Sequence, residues 1–148
     1  MKLAVVLAIV LVATSTCVGC AARAVKRGLD YHVMKAAGAD AINCGRIQFP
    51  PAVPHVLNAE QSAQVASCID SSRTKRLPFF FSAGGPGIDS ELATGLVGAA
   101  DGRLARFWYD SAPCGGPHCG ERFRQRECLP PSTTEPIDPT TLCADNTK

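Results

Sequence analysis

The chain carries no strong charge of either sign: 15 Lys and Arg against 13 Asp and Glu leave a formal +2 over 148 residues. That balance excludes a general nucleic-acid binder, which shows a marked basic excess on one face. There is no apolar run approaching the ~20 residues needed to cross a bilayer; the longest, residues 3–13, covers eleven. The catalytic signatures G-x-S-x-G and H-E-x-x-H are missing. The Gly-rich segment 84–87 is not followed by the Lys-Ser/Thr of a P-loop. No internal repeat is present. What the chain does have is 46% apolar residues, 11 Pro, 13 Gly and 8 Cys, enough for one small domain.

The amino terminus reads as an export signal. Met1-Lys2 precedes the apolar run, and small and polar residues follow it, so residues 1–19 form a signal peptide. The run has no polar face, which argues against a buried amphipathic helix. Val18-Gly19-Cys20 resembles the lipobox of bacterial lipoproteins. By that resemblance Cys20 is the first mature residue and carries the acyl chains, although Cys17 stands where the family usually has Leu. Cleavage after Ala21 or Ala22 is the competing outcome. Parity favours either over a free Cys20, since both leave six thiols to pair.

Those six are Cys44, Cys68, Cys114, Cys119, Cys128 and Cys143, and an exported chain meets an oxidising compartment where disulfides persist. Six cysteines allow 15 connectivities. The preferred set is Cys44 to Cys68, pinning the N-terminal segment onto a helix, then Cys114 to Cys119 across a turn-rich tetrapeptide, then Cys128 to Cys143. A zinc site from Cys114, His118, Cys119 and Cys128 is the alternative, disfavoured by the long 114/119 spacing and the missing second knuckle. No metal and no cofactor is expected. The Cys17–Cys20 spacing matches a redox CxxC but sits at the signal boundary, outside any βαβ context.

The expected organisation is a tether over residues 20–40, whose Ala-rich, charged stretch reads either as a weak helix or as a plain spacer, an α+β domain over 41–128 and an irregular tail over 129–148 tied by Cys143. Pro50, Pro51 and Pro54 forbid regular structure after the domain start. Asn58 and Gln61 form a capping box for a helix over 59–73 with Ala59, Ala63, Val65, Ala66 and Ile69 on one side. Strands are expected at 77–82, 91–99, 103–110 and 121–128, with a Gly-rich loop at 84–87. Asp101-Gly102 reads as a two-residue hairpin turn. That turn pairs Leu96 with Phe107 and sets Gly95 opposite Trp108, leaving the Trp108 face partly solvated. The fold class is therefore α+β, with one helix on an antiparallel sheet of about four strands.

Few residues invite chemistry. Period-two alternation puts Arg122, Arg124 and Arg126 on one face of the last strand, with Arg106 on a neighbouring strand. Together they suit a carboxylate or phosphate, and equally a charged face that discourages edge pairing. Candidate bases are limited to His32, His55 and His118; Asp89 with Glu91, Ser90, and Asp110 with Ser111 read as turn chemistry before catalysis. The leading expectation is thus an exported, lipid-anchored envelope protein with a binding or structural role, its partner an unidentified envelope or extracellular molecule. A small secreted or periplasmic hydrolase using Asp89, Ser90 or His118 is one alternative. A secreted inhibitor or toxin-like ligand presenting the loop 115–118 is the other.

The order Asn43-Cys44-Gly45, Pro78-Phe79-Phe80, Gly87-Ile88-Asp89-Ser90, Gly95-Leu96-Val97, Asp101-Gly102-Arg103, Tyr109-Asp110-Ser111 and Cys114-Gly115-Gly116 resembles small uncharacterised secreted or lipoprotein domains of bacteria. The resemblance spans residues 40–128. It implies export and no particular activity, so no functional residue is carried over.

Overall fold

A computed structural model describes residues 27–51, 56–116, 118–128 and Cys143. Residues 1–19, expected to be a signal peptide, as well as Cys20, His55 and the tail other than Cys143, lie outside the described residues. The elements run α1 (Gly28–Ala37), β1 (Ile42–Gln48), α2 (Ala59–Thr74), β2 (Phe79–Pro86), β3 (Glu91–Gly98), β4 (Leu104–Asp110) and β5 (Arg122–Glu127). The five strands form one sheet in the order β1-β2-β3-β4-β5. β1 and β2 are parallel, joined through α2, and β2 to β5 form an antiparallel meander.

The α+β class holds, with two additions to the expected architecture. The first is α1, which occupies about half of the stretch 20–40 and is packed rather than a spacer. Its Leu29, Val33 and Ala37 recur at helical spacing and are buried with Ala93, Val97, Phe107 and Tyr109. The packed domain therefore includes α1 and does not start at residue 41. The second is β1, an edge strand whose parallel pairing breaks between Asn43 and Arg46. The helices take opposite faces of the sheet. On the second face, Val65 and Ile69 of α2 pack with Cys44, Phe79, Phe81, Leu96 and Leu104. The result is three layers. Because β2 lies between them, it is apolar on both sides, as its run of Phe79, Phe80 and Phe81 requires.

The α2 cap forms as the local pattern dictates. Asn58 accepts the Gln61 N–H at 2.8 Å, and the Gln61 side chain accepts the Asn58 N–H at 3.0 Å. All three preferred disulfides are present: Cys44–Cys68, Cys114–Cys119 and Cys128–Cys143, with Cα separations of 5.4, 5.7 and 5.1 Å. They identify an oxidising, non-cytoplasmic environment. Among the described residues, no helix is long and apolar enough to cross a membrane.

The β3–β4 hairpin differs from expectation by one residue. Leu96 pairs with Arg106, and Gly95 pairs with Phe107. The loop has three residues: the Gly102 N–H donates to Ala99 O and the Ala99 N–H to Arg103 O. Gly102 supplies the positive φ of 89° that closes such a turn. The two-residue turn puts Leu96, Phe107 and Tyr109 together on the helix side; the slip separates them, with Leu96 packed on the α2 side and Phe107 and Tyr109 on the α1 side. A small residue under an aromatic ring survives with a different ring: a Cβ on Gly95 would come within 2.7 Å of Phe107. The segment 84–86 continues β2 rather than forming a loop, so only residues 87–90 turn. There the Gly87 N–H donates to Ser90 O.

Candidate functional site

α2 covers β1 and β2, and the β4–β5 half of the same face carries no helix among the described residues. The register fixes what that open half displays. Arg106 lies directly opposite Arg126, Trp108 opposite Arg124, and Asp110 opposite Arg122. On the inner side Thr94 sits beside Trp108 and Leu96 beside Arg106. Cross-strand partners share a face, so all four predicted arginines come together around one indole. Trp108 is 40% exposed there, although it is the largest side chain in the protein. The open half forms a groove of about 350 Å³ lined by Thr94, Arg106, Trp108, Arg124 and Arg126 with the intervening backbone of β4 and β5.

Among the described residues, no carboxylate lies within ion-pair distance of Arg106, Arg122 or Arg124. Glu127 alternates to the other face of β5, and the Asp110 carboxylate accepts the Ala112 N–H at 2.9 Å. The Thr94 hydroxyl is already committed, donating to Phe107 O at 3.0 Å. Directly opposed like charges destabilise a strand pair. An anion seated beside the Arg106 and Arg124 guanidinium groups would accept their planar donor forks. The adjacent indole offers a flat apolar surface to whatever carries the anion.

A second polar constellation lies on the α1 face, and sequence reasoning missed it. Glu121, just before β5, accepts N–H groups from Arg27 at 2.8 Å and Gly28 at 2.9 Å. It also accepts His32 Nε2–H at 2.9 Å and the Tyr109 hydroxyl at 3.2 Å. Burial opposes ionisation of Glu121, but those four donors outweigh it and hold the carboxyl down at about 2. Burial and the neighbouring Glu121 charge push the Tyr109 hydroxyl above the ordinary phenol range. His32 stacks on Phe123 with ring centroids 5.1 Å apart. The carboxylate caps α1, whose own N-cap residue supplies no side-chain acceptor. This cluster positions α1. No local signal marks it, because partners 89 to 94 residues apart meet only in the folded chain.

The remaining candidates are separate. The Ser111 hydroxyl accepts the Glu91 N–H at 2.7 Å, and with Asp110 it shapes the exit from β4. Asp89 is exposed in the 87–90 turn, and the Glu91 carboxylate faces Arg46 at 3.7 Å. His118 is exposed within the Cys114–Cys119 loop. Arg46 joins Asp30 at 2.7 Å as well, in an ion-pair chain on the surface. Among the described residues, no group of His, Cys, Asp or Glu is arranged to hold a metal, and the six cysteines are consumed in disulfides. Comparison of the chain with protein-family models, with curated proteins and with solved structures gives no match.

Proposed function

We propose that this is an exported, non-catalytic binding protein, anchored to the cell-envelope membrane through acylated Cys20, that holds an anionic ligand on the Arg–Trp face of its sheet. One observation carries the reading. Arg106 and Arg126 are placed side by side beside a half-exposed Trp108, with no helix over them among the described residues. Arg106 and Arg124 have no carboxylate within ion-pair distance among the described residues, so their donor forks are available to an anion beside the indole. The export half of the reading rests on the apolar segment 3–13, the Val18-Gly19-Cys20 motif and the three disulfides. The non-catalytic reading is supported by Asp110 and Ser111, which are occupied in backbone hydrogen bonds.

Two experiments test the two halves. Calorimetric titration of the purified oxidised protein with pyrophosphate and with citrate reads the face: binding is expected, and it weakens in Arg106→Gln and Arg124→Gln. No binding of either anion, or binding indifferent to both substitutions, rejects the site. Metabolic labelling with a fatty acid reads the anchor. No label on the parent protein, or label that survives Cys20→Ala, rejects lipidation.

A further inference from the structure

We infer that the ligand of this face is an extended acidic peptide segment that adds to the sheet as a sixth strand along β5, an inference that rests on the anion-binding reading above. The argument starts from the hydrogen-bond phase of the ladder. The Cys128 N–H donates to Leu104 O, which makes 104/128 a hydrogen-bonded pair. Antiparallel pairs alternate, so 106/126, 108/124 and 110/122 are also of that kind. The intervening residues Phe123, Gln125 and Glu127 therefore direct their N–H and C=O groups away from β4. β5 is the last strand of the sheet, and no described strand receives those groups.

The two edges of this sheet are treated differently. The β1 edge is interrupted between Asn43 and Arg46, where the register shifts; a proline pair follows each edge strand, Pro50-Pro51 after β1 and Pro130-Pro131 after β5. A break in the ladder blocks strand addition. β5 has no such break: its six residues, Arg122 to Glu127, pair with β4 without a register shift and contain no Pro. What guards it is charge of one sign. If β5 paired antiparallel with β5 of a second copy, arginines would confront arginines across the new ladder, so self-association is disfavoured. An incoming strand with carboxylates at alternate positions meets the opposite case. Its residues opposite Arg122, Arg124 and Arg126 fall on the Arg face, and their period-two spacing matches that of the arginines. The outward backbone groups of Phe123, Gln125 and Glu127 supply main-chain pairing that is blind to sequence, while the arginines supply selectivity.

The test uses the full oxidised protein and a short end-blocked peptide alternating threonine with glutamate, beside its isomer with the glutamates contiguous. The alternating peptide is expected to bind and to slow hydrogen exchange at the Phe123, Gln125 and Glu127 amides. Arg124→Gln is expected to weaken it about two- to fivefold, the range of a cross-strand ion pair. Glu127→Pro removes an outward donor without touching the β4 ladder, since Pro is tolerated on an edge where its nitrogen faces solvent, and Glu127 lies outside the groove. That variant is expected to weaken the peptide and keep pyrophosphate, which also shows that it folds. Equal binding of the two isomers, unchanged exchange at those amides, or full peptide affinity in Glu127→Pro overturns strand addition. Binding of a sulfated polysaccharide without amide protection, and of no peptide, overturns it too while leaving the anion face standing. If pyrophosphate also fails to bind, the anion-binding reading itself has failed.

Discussion

Replacing Glu121 should release the amino-terminal helix from the sheet. The carboxylate accepts four hydrogen bonds: two from the Arg27 and Gly28 N–H groups, one from His32 and one from Tyr109. A hydrogen bond to a charged group contributes about 1.5–3 kcal/mol, and a helix cap about 1 kcal/mol. These contributions overlap, and the Glu121 side chain keeps 10% of its surface in water. We therefore expect Glu121→Ala to cost about 3 kcal/mol, a large share of a small domain's total stability. Urea unfolding with the disulfides intact measures it directly. The pH dependence follows from the sign of the shift: the folded carboxyl titrates at about 2, below its ordinary 4.5. Its contribution is complete above about pH 4.5 and disappears as the pH falls from there toward 2. Glu121→Gln should show less stability at neutral pH and a flatter profile through that acid window. A Glu121→Ala protein within 0.5 kcal/mol of the parent would refute the reasoning, as would a parent and a Gln variant that lose stability in parallel between pH 4.5 and 2.

Three further outcomes follow from the same contacts. Arg106→Thr removes one member of an opposed like-charge pair; at low salt it should stabilise the free protein by about 0.2–1 kcal/mol in thermal melts, with the gain shrinking as salt screens the repulsion. Gly95→Ala brings a Cβ into direct overlap with the Phe81 carbonyl oxygen of the paired strand and to 2.7 Å from the Phe107 ring; a loss of about 3 kcal/mol or more is expected in urea unfolding, whereas the open Gly120 should accept Ala with little change. Removing Cys44–Cys68 opens a link between residues 24 apart, and removing Cys114–Cys119 opens one between residues 5 apart. Loop-closure entropy gives about 3 and about 2 kcal/mol, so paired Ala variants should rank in that order.

How much of this was legible in the sequence depended on how local the cause was. α2 was readable because Asn58 and Gln61 cap each other within one turn. The arginine stripe was readable because alternation along β5 needs no partner, and Trp108 was readable as partly solvated on the Arg106 face. The hairpin was readable to within one residue. Whether Asp101-Gly102 closes a two- or a three-residue loop depends on whether Ala100 joins the turn, and that choice decides whether Leu96 or Val97 shares the arginine side. α1 was legible only as one of two readings of residues 21–40, because its N-terminus is capped by Glu121 and its small apolar side gains stability only against Phe107 and Tyr109. β1 was hidden for a related reason: Cys44 and Gly45 sit in a break of the ladder, so its alternation does not run through.

The most direct measurement exploits the composition of the chain itself. Trp108 is the protein's single tryptophan and lies in the proposed site, so its fluorescence reports from there alone. Titration with pyrophosphate should give a saturable change in emission that weakens as salt is raised and is lost when Arg106 and Arg124 are both replaced by Gln. Emission that stays constant through the titration, or a change that persists undiminished in the doubly substituted protein, would contradict the anion-binding face.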